Sequence, residues 1–96
     1  MQQLSKQPAF ELGQIVATPG ALIALQKAGQ EPGEFLARHV NREWSDLSDE
    51  DRKQHDYSLE HGFRLLSSYR TNAGDKLWII TESDRSATTL LLPEEY

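Results

Sequence analysis

The chain has 96 residues, 38% of them hydrophobic and 26% charged, and its 15 acids against 10 bases give a formal charge of −5. That length builds one core rather than two, and so acidic a balance argues against non-specific binding of a phosphate backbone. The sequence has no cysteine, which excludes a disulfide, a thiolate zinc site and a cysteine nucleophile.

The opening Met1-Gln-Gln-Leu-Ser-Lys-Gln-Pro8 lacks the apolar stretch of a secretory signal, and no later apolar run reaches the length of a membrane span. A cytoplasmic protein is expected, with residues 1–9 as a tail and 10–96 as a single domain. Residues 10–17, Phe-Glu-Leu-Gly-Gln-Ile-Val-Ala, read as a short extended lead-in that suits an edge strand. Thr18-Pro19-Gly20 then starts a helix: Thr18 is a good N-cap, and Pro19 takes the first helical position, where its missing N–H costs nothing. Leu22, Ile23 and Leu25 offer this helix an apolar stripe, and Gly29 stops it. Pro32 restarts a helix in which Phe35, Leu36, His39 and Val40 recur at helical spacing. Trp44 and Leu47 are expected to pack just beyond it. Ser48-Asp-Glu-Asp51 caps a third, polar helix over about 49–60, with Leu47, His55 and Leu59 as its apolar line.

After Gly62 the pattern changes to alternation. Phe63, Leu65, Ser67 and Tyr69 share one side of a strand, and Arg64, Leu66, Ser68 and Arg70 the other. Turn residues Thr71–Asp75 lead to Leu77-Trp-Ile-Ile-Thr81, and Glu82-Ser-Asp-Arg-Ser86 leads on to Ala87-Thr-Thr-Leu-Leu-Leu92, which Pro93 ends. Short connections join antiparallel neighbours. The expected fold is therefore α+β: three helices followed by a three-stranded antiparallel meander. Its middle strand is apolar on both faces, which calls for helices on one side and the N-terminal segment or a second copy on the other.

Few residues point to chemistry. His39 falls on an apolar helix face and reads as a hydrogen-bonded core or boundary histidine. His55 with Asp51 or Glu60 has metal-ligand spacing on an exposed helix, but a solvated face explains it, and neither metal nor cofactor is expected. A ribonuclease can be assembled on paper from His61 or His39 with Glu82, Arg64, Arg70 and Arg85, although no spacing is diagnostic. Phosphate-binding glycine motifs and a nucleophile elbow are absent from the sequence. Thr18-Pro-Gly-Ala21 can hold an anion at a helix N-terminus, though a plain cap accounts for it.

The Glu82–Ser86 turn is the strongest candidate for a working surface. Asp84 can fold it through an Asx-turn, and Arg85 either stabilises the hairpin or presents a cationic fork to a partner's carboxylate or phosphate. On the second reading, Arg85→Ala removes partner capture and leaves the melting temperature nearly unchanged. The closing Glu94-Glu95-Tyr96 is either a recognition segment or folds back on Arg85 or Arg70. The candidate binding set is Arg85, Asp84, Glu82, Arg70 and Tyr96.

Several stretches carry a resemblance: Gly13–Leu22, His39-Val40, Trp44, Gly62–Tyr69 and Trp78–Tyr96. Together they resemble a small bacterial family whose members are labelled "plasmid-related protein", and sometimes "type I restriction endonuclease subunit M". Arg42-Glu43, in place of Gly-Asp, and Ser83, in place of Ala, depart from that pattern. The resemblance implies a bacterial cytoplasmic protein of plasmids and other mobile elements, with no established activity to carry over. The restriction label fails because the chain has neither the Gly-rich cofactor loop nor the Asn/Asp-Pro-Pro-Tyr/Phe loop of a methyltransferase. The expected function is non-enzymatic binding of a macromolecule, a protein rather than nucleic acid, with a small ribonuclease toxin or a homodimer as alternatives.

Overall fold

A computed structural model describes residues 10–41, 53 and 61–96. Strand β1 (Gln14–Ala17) is followed by helices α1 (Pro19–Ala28) and α2 (Pro32–Val40), strands β2 (Leu65–Arg70), β3 (Lys76–Thr81) and β4 (Ala87–Leu91), and a 3-10 turn at Pro93–Glu95. The class is α+β, but the architecture corrects the expected meander. The sheet has four strands in the order β1-β4-β3-β2, and β1 runs parallel to β4. The other two pairs are antiparallel, as the short connections require. Two helices are described. The third, expected over about 49–60, lies outside the described residues except for Lys53, which is helical and exposed.

The fourth strand falls inside the extended lead-in expected over residues 10–17 and lies at the sheet edge. Its parallel pairing escapes a sequence reading because Gln14–Ala17 is four residues long and its partner lies near the other end of the chain. Gly13 makes the pairing possible. It sits at φ +65°, and a Cβ there would come within 2.3 Å of the Ser86 carbonyl oxygen. The N-terminal segment can therefore cross directly over the β3–β4 turn. Beyond the crossing, Gln14 N–H donates to the Ser86 carbonyl at 2.9 Å and Thr18 N–H to that of Leu90 at 3.0 Å.

Helix α1 starts and stops where its sequence says. The Thr18 hydroxyl accepts the Ala21 N–H at 3.2 Å, Pro19 opens the helix, and Gly29 closes it at φ 68°. Its buried face is not the expected stripe, however. Ala21, Ala24 and Leu25 face the core, while Leu22 and Ile23 are 50% and 64% exposed. Two alanines let the helix lie close to the sheet, and that closeness selects the face. In α2, Phe35 and His39 are buried with Leu36 and Val40 half-buried, as the spacing predicts.

The core joins Ala21, Leu25 and Phe35 to Tyr69, Leu77, Ile79 and Leu90, all on the helix-facing side of the sheet. Burying one large apolar side chain contributes about 1.5–3 kcal/mol. An exposed pair such as Lys27–Asp75, at 3.1 Å, contributes about 1 kcal/mol at most. The core therefore holds the helices on the sheet.

The opposite face carries cross-strand rows Leu66, Ile80, Thr89 and Ser68, Trp78, Leu91. The N-terminal segment, expected as its cover in alternative to a second copy, is instead an edge strand. The last residues of the chain take that place, with the Tyr96 ring edge-on to Trp78 at 5.8 Å.

Gly13 and Gly29 have nearly the same φ, but a Cβ at Gly29 meets nothing within 4 Å. Gly29→Ala should cost about 1 kcal/mol from backbone strain alone. Gly13→Ala should cost at least about twice as much, because backbone must also move. Urea unfolding of the two variants measures the difference.

Candidate functional site

The β3–β4 turn is built largely by Arg85. Its N–H donates to the Glu82 carbonyl at 2.9 Å, closing the turn, and its own φ is 60°, a left-handed conformation unusual outside glycine. Its guanidinium Nη1 points back at the chain and reaches the carbonyls of Phe63 at 2.8 Å, Glu82 at 3.0 Å and Ser83 at 3.3 Å. The group also lies 5.7 Å from the Phe10 ring centroid. Arg85 thus ties the hairpin to the start of β2 and to the N-terminal segment. Asp84 forms the anticipated Asx-turn, accepting the Ser86 N–H at 3.0 Å. Hydrogen bonds from the Ser86 hydroxyl and N–H hold its carboxyl below the usual carboxylate range.

Glu82 and Tyr96 do come together, through a residue outside the expected binding set. Arg64 places Nε 3.7 Å from the Glu82 carboxylate, donates from Nη1 to the Tyr96 hydroxyl at 3.0 Å, and lies 5.7 Å from that ring's centroid. A cleft of about 190 Å³ opens here, between Arg64, Ile80, Glu82, Thr89, Leu91 and the closing Glu95 and Tyr96. Tyr96 folds back on Arg64 and Trp78 rather than on Arg85 or Arg70. Arg70 donates to the Gly74 carbonyl at 3.0 Å and shares the same sheet face. It lies six residues along β2 from Arg64, about 20 Å away.

Glu95, read in the sequence only as part of the closing Glu94-Glu95-Tyr96, has a role that sequence reasoning missed. Its carboxylate accepts from the Thr18 hydroxyl at 2.5 Å, the Gly20 N–H at 3.0 Å and the Leu92 N–H at 2.9 Å. The anion suited to the N-terminus of α1 is therefore the chain's own. Those bonds, the Thr18 hydroxyl foremost, hold its carboxyl below the usual range. The signal in the sequence is Thr18-Pro-Gly20 together with an acid just after β4, but only the β1–β4 pairing brings the two into register.

His39 is fully buried, as its place on the apolar face predicts. Nδ1 meets the Ser67 hydroxyl and Nε2 the Thr81 hydroxyl at 2.8 Å, which in turn meets Thr88 at 2.8 Å. Thr88 donates its only hydroxyl proton to the Leu12 carbonyl at 2.7 Å. Thr81 must then donate to Thr88, and His39 to Thr81. The direction of that chain puts a ring proton on Nε2. This network satisfies buried polar groups and ties α2 to β2, β3 and β4 through their hydroxyls, and to the N-terminal segment through the Leu12 carbonyl.

Of the parts of a paper ribonuclease, Arg64, Glu82, Arg85 and His61 all lie about the Phe63 end of β2, where Arg64 pairs with Glu82 and Arg85 holds the Phe63 carbonyl, but the others lie elsewhere. His39 is in the core, Arg70 lies at the far end of β2 from Arg64 and Glu82, and the Arg85 guanidinium is spent on backbone carbonyls. His61 stacks on Phe63 with ring centroids 6.3 Å apart. Among the described residues, no group of three His, Cys, Asp or Glu side chains is placed to hold a metal ion. No helix among them is long and apolar enough to cross a membrane.

Comparison with family models, with curated proteins and with solved structures finds no match for this chain.

The inward guanidinium changes what Arg85→Ala should do. Losing its carbonyl bonds should cost about 1–2 kcal/mol at this half-buried position, rather than leave the melting temperature unchanged. Arg85→Gly loses the same bonds but relieves the left-handed backbone, so it should be the milder variant by about 1 kcal/mol. Thermal melts of both, beside the parent chain, test that order.

Proposed function

We propose that the chain is a non-enzymatic binding protein whose partner, another protein, docks on the sheet face opposite the helices. The observation that carries this reading is the make-up of that face. Its centre is apolar, with Leu66 and Trp78 half-exposed beside the nearly buried Ile80 and Leu91. Its ends are charged, with Arg64 and Glu82 at one and Arg70 and Lys76 at the other. An apolar centre with a charged rim is the anatomy of a protein interface, and Trp, Tyr and Arg are the residues that most often anchor one. Both signs are present, which suits a protein surface better than a phosphate backbone.

Within the expected binding set, Glu82, Tyr96 and Arg70 lie on this face and are its contact residues. Arg85 and Asp84 shape the turn that borders it. The resemblance to the plasmid-related family suggests a cytoplasmic protein of bacterial mobile elements, for which a defence or replication component of the host is a natural target.

A photo-cross-linking residue in place of Leu66, compared with the same residue in place of the outward-facing Ile23, tests the surface in living bacteria. The expected result is a defined protein adduct from position 66 and none from position 23. Equal adducts from both positions would count against the face. Adducts with nucleic acid, or only with a second copy of the chain, would replace the proposed partner with RNA or with a homodimer.

A further inference from the structure

We propose that Pro93–Tyr96 is a strap that gates this face, with the Glu95 carboxylate as its catch; the inference rests on the docking reading above. The strap lies between two unlike parts of the fold. One end is held at the N-terminus of α1 by the Thr18 hydroxyl and the Gly20 N–H. The other end lays Tyr96 against Trp78 and Arg64. Beside it, Ile80 is 3% exposed and Leu91 6%, although both described helices pack on the other side of the sheet.

The hold is of a kind that opens. The strap pairs with no strand and buries none of its own turn residues, and Tyr96 stays 70% exposed. Segments with few buried contacts and solvent-facing hydrogen bonds are the first to detach from a folded domain. By contrast, β4 is paired on both sides and shares the core. Detaching the strap would extend the apolar centre from Leu66 and Trp78 through Ile80 to Leu91 without disturbing the helices.

Position 20 is kept bare for the catch. A Cβ at Gly20 would come within 2.5 Å of a Glu95 carboxylate oxygen. Alanine favours a helix over glycine by about as much as a carboxylate at its N-terminus contributes, so Gly20→Ala evicts the carboxylate with little net change in α1 and without touching the strap itself. Glu95→Ala removes the catch from the other side. Glu94, exposed on the same turn, is the control.

Acrylamide quenching of Trp78 fluorescence, in a Trp44→Phe background, reads the strap directly. Glu95→Ala and Gly20→Ala should each raise the quenching constant by about twofold or more, with Glu94→Ala unchanged and far-UV dichroism preserved. If Glu95→Ala loses its fold, Gly20→Ala decides alone. Unchanged quenching in the folded variants overturns the strap, even where position 66 still cross-links a protein. Raised quenching without any adduct from position 66 leaves the strap standing and removes the docking reading. Raised quenching with stronger adducts than in the parent chain supports both.

Discussion

The parallel pairing of Gln14–Ala17 with Ala87–Leu91 is the constraint on which the rest of the molecule depends. It carries the Leu12 carbonyl to the Thr88 hydroxyl, where the chain of donors running from His39 ends. It also sets the N-terminus of α1 beside the end of β4, with Thr18 N–H on the Leu90 carbonyl. Only from there can Glu95 reach Thr18 and Gly20. One backbone register thus serves the buried polar network on the helix side and the strap on the other. Gly13 permits it by passing within contact of the Ser86 backbone.

Local features were legible in the sequence because their causes are local. Thr18 and Pro19 start a helix, Gly29 ends it, and the alternation from Leu65 to Tyr69 separates two faces, all by contacts within a few residues. His39 was legible as a core histidine from its helical spacing. The extended stretch that holds the sheet's fourth strand was legible too, but its pairing was not, since a four-residue parallel strand has neither a turn nor a distinctive alternation to mark its partner. The stripe on α1 misled because side-chain size alone ranks Leu22 and Ile23 above Ala21 and Ala24. Close approach to the sheet reverses that order.

The candidate site was half legible for the same reason. The turn residues Asp84 and Arg85 were found, but the direction of the Arg85 side chain is set by the Phe63 carbonyl, which only the folded hairpin supplies. Arg64 and Glu95 assemble the neighbouring cluster through partners far away in sequence. The sheet consequently has two unlike faces. One is closed by α1, α2 and a saturated polar network. The other has an apolar centre, charged ends and a short cover held by one carboxylate and one aromatic ring.

Because the chain has no native cysteine, the central pairing can be tested by engineered cross-links on a clean background. Val16 and Thr89 are Cα partners across β1 and β4, and neither belongs to the His39 network. Val16→Cys with Thr89→Cys should oxidise readily to a monomeric disulfide with unchanged far-UV dichroism. Val16→Cys with Ala87→Cys, displaced by two residues, should not. If the displaced pair closes in preference, or neither pair closes while the chain stays folded, the register is wrong, and the account of the polar network and the strap fails with it.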